Sequence, residues 1–294
     1  MGFRELGCNI VDFPRRQSLH GSWSRPEYHI EQLLFGFSEL ELRKNPDILM
    51  ITGMFEGYGF CKNFEGWNKF VSETIEKYNP VKVVMLDVED TSLCSYPILK
   101  KNYDSVFKRE LMFPKPASNW HYINFSAIPE PFEYVYYPYR RYDISFVATM
   151  SNPYRLEVRD FILKKSKELD LLAYARVEYT SIDRAEYLKI LSQSKTSVSV
   201  RGAGCECYRY WELPAKGLVM IADEHELPIE NDFTDEQIFK FKNLNDLEQI
   251  LIKLKTVSPE VLEEMALKSL QHTVKYHTPK KRAEYILRKV FNVS

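Results

Sequence analysis

The sequence has no run of about eighteen apolar residues, so it contains no segment that would span a bilayer as a helix. Its opening, Met1-Gly2-Phe3-Arg4-Glu5-Leu6, lacks the basic-then-apolar order of a secretory leader. Gly7 stands where a myristoylation signal wants Ser or Thr. An excess of one charge is also missing: 40 Lys and Arg face 41 Asp and Glu, a formal net of -1. Proteins that grip nucleic acid through its phosphates carry a basic surplus, so this balance speaks against that partner. Cysteine is scarce, five in 294 residues, odd in number and irregularly spaced. That usage fits a reducing compartment and leads us to expect a cytoplasmic protein. Cys205-Glu206-Cys207 has no second Cys/His pair at zinc-finger spacing, so no metal site is expected. The Gly-x-Gly-x-x-Gly turn of nicotinamide enzymes is missing too, because Gly57-Tyr58-Gly59 has no third Gly.

What is present reads as an ordinary globular chain, 45% hydrophobic and 28% charged. At roughly 150 residues per domain the length suggests two domains. A chain of this size buries about three quarters of its unfolded surface and needs no disulfide or metal to fold. Aromatic residues make up 14%; most fill the core, and the rest suit flat ligands such as bases and sugars.

Short apolar runs alternate with amphipathic stretches along the whole chain. Strands are expected at 9–13, 47–52, 81–86 and 120–125, with helices at 26–42 and 67–78 between them. The Pro-punctuated segment up to Tyr136-Tyr137-Pro138-Tyr139-Arg140-Arg141-Tyr142 reads as an interdomain linker. The alternation then restarts: strands at 144–148, 172–179, 196–200 and 218–221, helices at 155–169, 183–193, 208–216 and 245–254. Ser258-Pro259 and Pro279 open two more helices. Such an order means parallel sheets with right-handed crossovers. The division expected is an acceptor-side domain over residues 1–138 and a donor-side domain over 139–294, the last helix crossing back.

Ligands of open parallel sheets bind outside the carboxyl ends of the strands. The most informative such place is Val200-Arg201-Gly202-Ala203-Gly204, where a strand runs into a two-Gly loop that feeds a helix at Tyr208. A helix start offers free N–H groups and partial positive charge to a phosphate, and glycines let the backbone approach. Arg209 and Glu212 are three apart and share a helix face. Such a pair suits a diphosphate and a ribose diol; it equally suits a solvated ion pair.

The run Arg201-Gly202-Ala203-Gly204, continued by Arg209-Tyr210-Trp211-Glu212-Leu213-Pro214-Ala215-Lys216-Gly217-Leu218-Val219-Met220-Ile221-Ala222-Asp223, resembles the donor-binding signature of GT-B-fold glycosyltransferases. It is most similar to the exostosin-like and spore-maturation-protein-like groups. Tyr142 to Ala148 with Arg155, Tyr187 to Lys195, and Tyr276-His277-Thr278 with Arg282 resemble other pieces of the donor domain, in the same order. The resemblance implies two Rossmann-like α/β domains facing a central cleft. It implies a UDP- or GDP-linked sugar donor, no further cofactor and metal-independent chemistry. Arg209 would contact the diphosphate, Glu212 the ribose, and Gly202 and Gly204 would give backbone access. Arg201 and Arg155 would add positive charge, Tyr208 would complete the donor site, and the loop after Tyr179 would face the base. Arg155 on its own reads equally as a helix-surface residue. Many retaining members carry two Glu separated by seven residues; here Glu206 and Glu212 are separated by five, which leaves the stereochemistry open.

An inverting enzyme needs a base on the acceptor side. Asp87-Val88-Glu89-Asp90 follows an expected strand, and Asp87 and Asp90 are the candidates; His20 and His29 are weaker ones. The same acidic run admits a rival, a GT-A enzyme holding its donor through a divalent metal. A second rival is a sugar- or nucleotide-binding protein without turnover. The acceptor expected is a glycan, a protein or a lipid-linked group at a membrane surface.

Overall fold

The computed structural model describes residues 2–9, 46–52, 72–87, 103–111, 117–127, 135–180 and 182–293. The helix expected at 26–42, most of the strand at 9–13, and Asp90, His20 and His29 lie outside them.

After a short helix α1 (Gly2–Glu5), four parallel strands make the first sheet: β1 (Ile48–Thr52), β2 (Lys82–Asp87), β3 (Ser105–Lys108) and β4 (Trp120–Tyr122), in the order β1-β2-β3-β4. Residues 72–78 form helix α2 between the first two. Met50 pairs with Val84, Val84 with Ser105, and Val106 with Trp120. Strand β3 was not expected, because Ser105-Val106-Phe107-Lys108 is too short to show a period.

The second sheet is also parallel: β5 (Tyr142–Thr149), β6 (Ala173–Glu178), β7 (Ser194–Ser199), β8 (Val219–Asp223) and β9 (Phe239–Phe241), in the order β6-β5-β7-β8-β9. Its helices are α3 (Tyr154–Glu168), α4 (Arg184–Ser192), α5 (Tyr208–Ala215), α6 (Leu244–Thr256) and α7 (Pro259–Tyr276). Caps stop and start them where the side chains allow. Asp183 accepts from the Glu186 amide, and Asn243 accepts from those of Asn245 and Asp246. Ser258 accepts from the Val261 amide with Pro259 in the first turn.

Strand β7 is central and yet reads Ser-Lys-Thr-Ser-Val-Ser. It tolerates burial because its hydroxyls are satisfied: Ser145 Oγ and Ser197 Oγ lie 3.0 Å apart, and Thr196 Oγ1 donates to Asp143 O at 2.7 Å. The segment read as a linker is firmly anchored. Arg140 is 3% exposed and donates to Ser194 O and Gly217 O at 3.0 and 3.1 Å, and the Tyr137 hydroxyl donates to Lys195 O. These bonds tie it to the amino-end side of β7 and β8.

Helix α8 (Pro279–Phe291) leaves the second sheet and packs on the first. Ile286 and Val290 are 4% exposed and sit with Val84, Phe107 and Ile123, with Phe3 of α1 against them. Each such aliphatic side chain contributes about 1.5–3 kcal/mol by burial, which fastens the end of the chain to its beginning.

Candidate functional site

In the second sheet β5 comes first, β6 lies on one side of it and β7 on the other. Strand order therefore reverses between β5 and β7, the point at which the loops diverge and leave a crevice at the carboxyl ends. Most of the residues named from the sequence gather there.

Arg155 enters from the first turn of α3. It is 4% exposed, so it is no helix-surface residue. Its Nη1 donates to Thr149 O at 2.8 Å, its Nη2 to Val200 O at 3.0 Å and its Nε to Arg201 O at 2.8 Å. The guanidinium thus bridges the ends of β5 and β7. Arg209 enters from α5 and lies over the same gap: Nη1 donates to Val147 O at 3.2 Å and Nη2 to Val200 O at 3.4 Å, with the Phe146 ring 5.9 Å away. Two arginines thus converge on one carbonyl, and the Arg209 Nε is buried without a partner. Burial, and then the neighbouring Arg209 charge, push Arg155 down to about 10. Like charges held this close favour an anion between or beside them.

Gly202 and Gly204 line the loop. A Cβ on Gly202 would stand 2.9 Å from Arg155 Nη2, and one on Gly204 would stand 2.5 Å from Glu110 Oε1. Here the absent side chain permits close approach. Asn152 supports the loop through Nδ2 to Gly202 O at 3.1 Å, while its Oδ1 accepts the Tyr154 amide at the start of α3. At the end of β8, Asp223 accepts both the Arg201 amide, at 3.1 Å, and its Nε, at 2.6 Å. Burial raises the Asp223 carboxyl above the usual range against the pull of Arg201. The Arg201 side chain remains 41% exposed.

Glu212 is 5% exposed. It pairs with neither solvent nor Arg209: Oε2 accepts the Tyr187 hydroxyl at 2.6 Å and Oε1 accepts Arg184 Nη2, both from α4. The solvated ion-pair reading of Arg209 and Glu212 is thereby excluded. Each carboxylate oxygen keeps a second lone pair. Tyr208, 44% exposed, stacks on Phe125 with centroids 4.1 Å apart, and Tyr179 is 82% exposed beyond β6.

Glu206 is enclosed. Its Oε1 accepts the Phe125 amide at 2.7 Å and Trp211 Nε1 at 2.5 Å, and its Oε2 faces the Tyr122 hydroxyl at 3.4 Å. Burial pushes this carboxyl up to about 7. Asp87 is enclosed in the first sheet, 3.2 Å from Lys108 Nζ, with side chains 2% and 1% exposed. A base must reach an acceptor, and neither placement gives that reach.

A polar joint ties the halves together. Arg282 Nε donates to Phe125 O at 3.0 Å and Nη2 to His277 Nδ1 at 2.7 Å, so His277 Nε2 carries the proton donated to Asn231 O at 2.8 Å. Burial and the Arg282 charge press His277 down to about 3, which holds it neutral. The Ala127 amide donates to His277 O at 2.8 Å. A cavity of about 240 Å³ lies beside this joint, between Tyr122, Asn124, Asn231, Tyr276 and Tyr285; none of the arginines at the strand ends lines it.

Sequence reading gave no role to Asn152, Asp223, Arg184, Tyr187 or Glu110, although Tyr187 and Asp223 fall within the stretches that carry the resemblance. Of these, Asp223 left a signal of its own, as a carboxylate ending an apolar strand.

Residues 159–288, under half of the chain, match the family model described as glycosyl transferase-like. No curated protein matches the sequence. Among solved structures, an alpha-glucosyltransferase in complex with UDP-glucose and DNA containing an abasic site superposes with a TM-score of 0.56 at 12% identity, over 83% of this chain and 80% of that one. The same kind of enzyme with UDP and a 13-mer DNA containing a HMU base gives 0.55 at 13%, over 83% and 80%. TarM gives 0.52 at 10% identity, over 83% of this chain and 54% of that one, so the chain spans about half the length of TarM. These likenesses establish the fold: two Rossmann-like units of parallel sheet, the arrangement of GT-B glycosyltransferases. They set aside the single-domain GT-A alternative.

Proposed function

We propose that the chain transfers a glycosyl group from a nucleoside-diphosphate sugar, residues 1–138 facing the acceptor and 139–294 the donor. One observation carries this: two arginines, Arg155 and Arg209, meet on the Val200 carbonyl at the reversal of strand order, Val200 and Arg209 falling within the segment that matches a glycosyl transferase-like model and Arg155 just ahead of it. Arg201, with its side chain open to solvent, adds a third cation at the same edge.

As the bond between the sugar and the diphosphate breaks, negative charge grows on the departing phosphate. Fixed guanidinium groups stabilise that charge without reorganising, because carbonyls at the strand ends already hold them. We assign the diphosphate to Arg209, Arg201 and Arg155 and to the open backbone of the loop whose close approach Gly202 and Gly204 permit. The ribose goes to the remaining lone pairs of Glu212, and the edge of the donor to Tyr208. This is a metal-independent scheme, with UDP and GDP as the donor nucleotides to try. The charge balance favours a glycan, protein or lipid-linked acceptor over nucleic acid.

The test is a panel of UDP, GDP and other nucleoside diphosphates read by calorimetry and thermal shift, followed by donor hydrolysis. Saturation at a hundredfold excess over Kd stabilises the fold by about 2.7 kcal/mol. Binding with slow hydrolysis of the sugar nucleotide is the expected result. Binding with neither hydrolysis nor transfer makes the chain a nucleotide-binding protein on this scaffold, and no binding at all removes the donor site.

A further inference from the structure

We infer that Glu110, which belongs to the first sheet, is a positioning residue for the donor loop of the second. The inference rests on the donor reading above. Glu110 lies two residues beyond β3 with φ of 59°, a left-handed conformation uncommon for a residue with a side chain. Its side chain is 4% exposed. Oε2 accepts the Cys205 amide at 3.0 Å and Oε1 the Glu206 amide at 2.9 Å. Its neighbour Arg109 donates from Nη1 to Glu110 Oε1 and to Glu206 O, both at 3.4 Å. Two adjacent residues of the first half therefore hold the N–H groups of Cys205 and Glu206 and the carbonyl of Glu206. The contact is close enough that a Cβ on Gly204 would come within 2.5 Å of Oε1 and 2.8 Å of Cδ.

The loop thus has two committed faces. One lies flat on the Glu110 carboxylate; the other is held by Asn152 and Arg155 at Gly202. A diphosphate cannot use the Cys205 and Glu206 amides, because a carboxylate already does. The Gly202 amide is committed as well, to Gly204 O at 3.0 Å, so the diphosphate meets the loop at Ala203, which is exposed. Glu110 sets that geometry before any ligand arrives, and preorganised donors bind an anion without a further ordering cost. Donor affinity in the second half then depends on a side chain in the first that touches no donor atom.

The experiment measures binding of UDP and GDP, together with donor KM and kcat, in Glu110→Gln, Glu110→Asp, Gly204→Ala, Glu110→Ala and the Glu110→Ala/Gly204→Ala double variant. Thermal melting establishes that each is folded at the assay temperature. Glutamine keeps the volume but turns an N–H donor toward one backbone N–H, so affinity falls about tenfold or more. Donor KM rises while kcat changes less. Aspartate keeps the charge and recovers part of the loss. Gly204→Ala is severe beside Glu110 and mild once residue 110 is Ala, so the double variant is better than the sum of the singles predicts. If Glu110→Gln does not melt cooperatively, Glu110→Asp and the Gly204 pair carry the same expectation. Lower melting temperatures with unchanged nucleotide affinity, or additive single and double variants, overturn the inference and leave the donor site standing. A wild-type protein that binds no nucleoside diphosphate overturns both.

Discussion

Each sheet ends a strand with a carboxylate beside a cation, and the two pairs are built differently. Asp87 at the end of β2 faces Lys108 at the end of β3, both side chains within 2% of full burial. Asp223 at the end of β8 is nearly as enclosed, at 7%, but its partner Arg201 is 41% exposed. The first pair is sealed: acid and cation are both closed off from solvent. The second leaves a guanidinium edge to solvent next to Arg209 and Arg155. The same motif of strand end and carboxylate is structural in one half and suited to recognition in the other. Exposure of the cation, rather than the presence of the acid, separates them.

The largest effect that would break this contrast is on stability. Lys108→Met leaves the Asp87 carboxylate buried without its charge partner, and loss of one member of a buried pair costs about 3–5 kcal/mol. Chemical denaturation should show the midpoint falling sharply, while nucleotide affinity at a temperature where the variant is folded stays near wild type. A small change in midpoint would mean that the first pair is not sealed.

Next comes Arg209→Ala. Charge-assisted hydrogen bonds are worth about 1.5–3 kcal/mol, so binding of a nucleoside diphosphate should weaken by about tenfold to a hundredfold, with little change in melting temperature. Arg201→Ala should follow the same direction with a smaller loss, since Asp223 keeps the Arg201 amide. If Arg209→Ala lowers stability by as much as Lys108→Met does and leaves affinity unchanged, both strand ends are structural.

The contrast was only half legible in the sequence. Arg201, Gly202, Gly204, Arg209 and Glu212 fall within one short run, and a strand–loop–helix pattern places them together. The helix starts were legible for the same local reason: Asp183, Ser258 and Thr278 are side chains that cap their own first turns. Lys108 and Glu110 were not legible. Lys108 belongs to a four-residue strand without a readable period, and Glu110 acts on residues 95 and 96 positions away. Glu212 stood out in the sequence as a candidate, but its pairing did not, because Arg184 and Tyr187 come from another helix. Local chemistry shows in a sequence; pairing across elements needs the fold. Asp87, a candidate base from its place after an expected strand, is enclosed beside Lys108, a pairing only the fold reveals.

A smaller effect concerns pH. Burial raises Glu206 to about 7 from the ordinary glutamate value of 4.5. A carboxyl raised on folding contributes stability that is complete below the unfolded value and is lost as pH climbs through the folded one. Glu206→Gln mimics the neutral acid in shape. The melting temperature of wild type minus that of Glu206→Gln should therefore fall as pH rises from about 5 to 8. His277 runs the other way: lowered to about 3 from 6.5, it contributes stability present above the unfolded value and lost as pH falls toward the folded one. Subtracting the variant cancels that opposite slope. A flat difference curve would mean that Glu206 is ionised throughout, held by Trp211, the Phe125 amide and the nearby Arg109.

The smallest effect tests the seam between the two regions. Tyr208 begins α5 and stacks on Phe125, and the Arg109 guanidinium lies 4.2 Å from the centroid of the Phe125 ring. Aromatic pairs of this kind are worth about 0.5–1.5 kcal/mol beyond the area they bury, and Tyr208 is 44% exposed, so the lower end applies to stability. If Tyr208 serves only the seam, Tyr208→Leu lowers the melting temperature slightly and leaves nucleotide affinity alone. If it also borders the donor, affinity falls while stability barely moves, and Tyr208→Phe, which keeps the stacked ring, restores both. The leucine and phenylalanine variants together therefore decide whether the open edge of the second sheet ends at Arg209 or extends one residue further, onto the joint with the first.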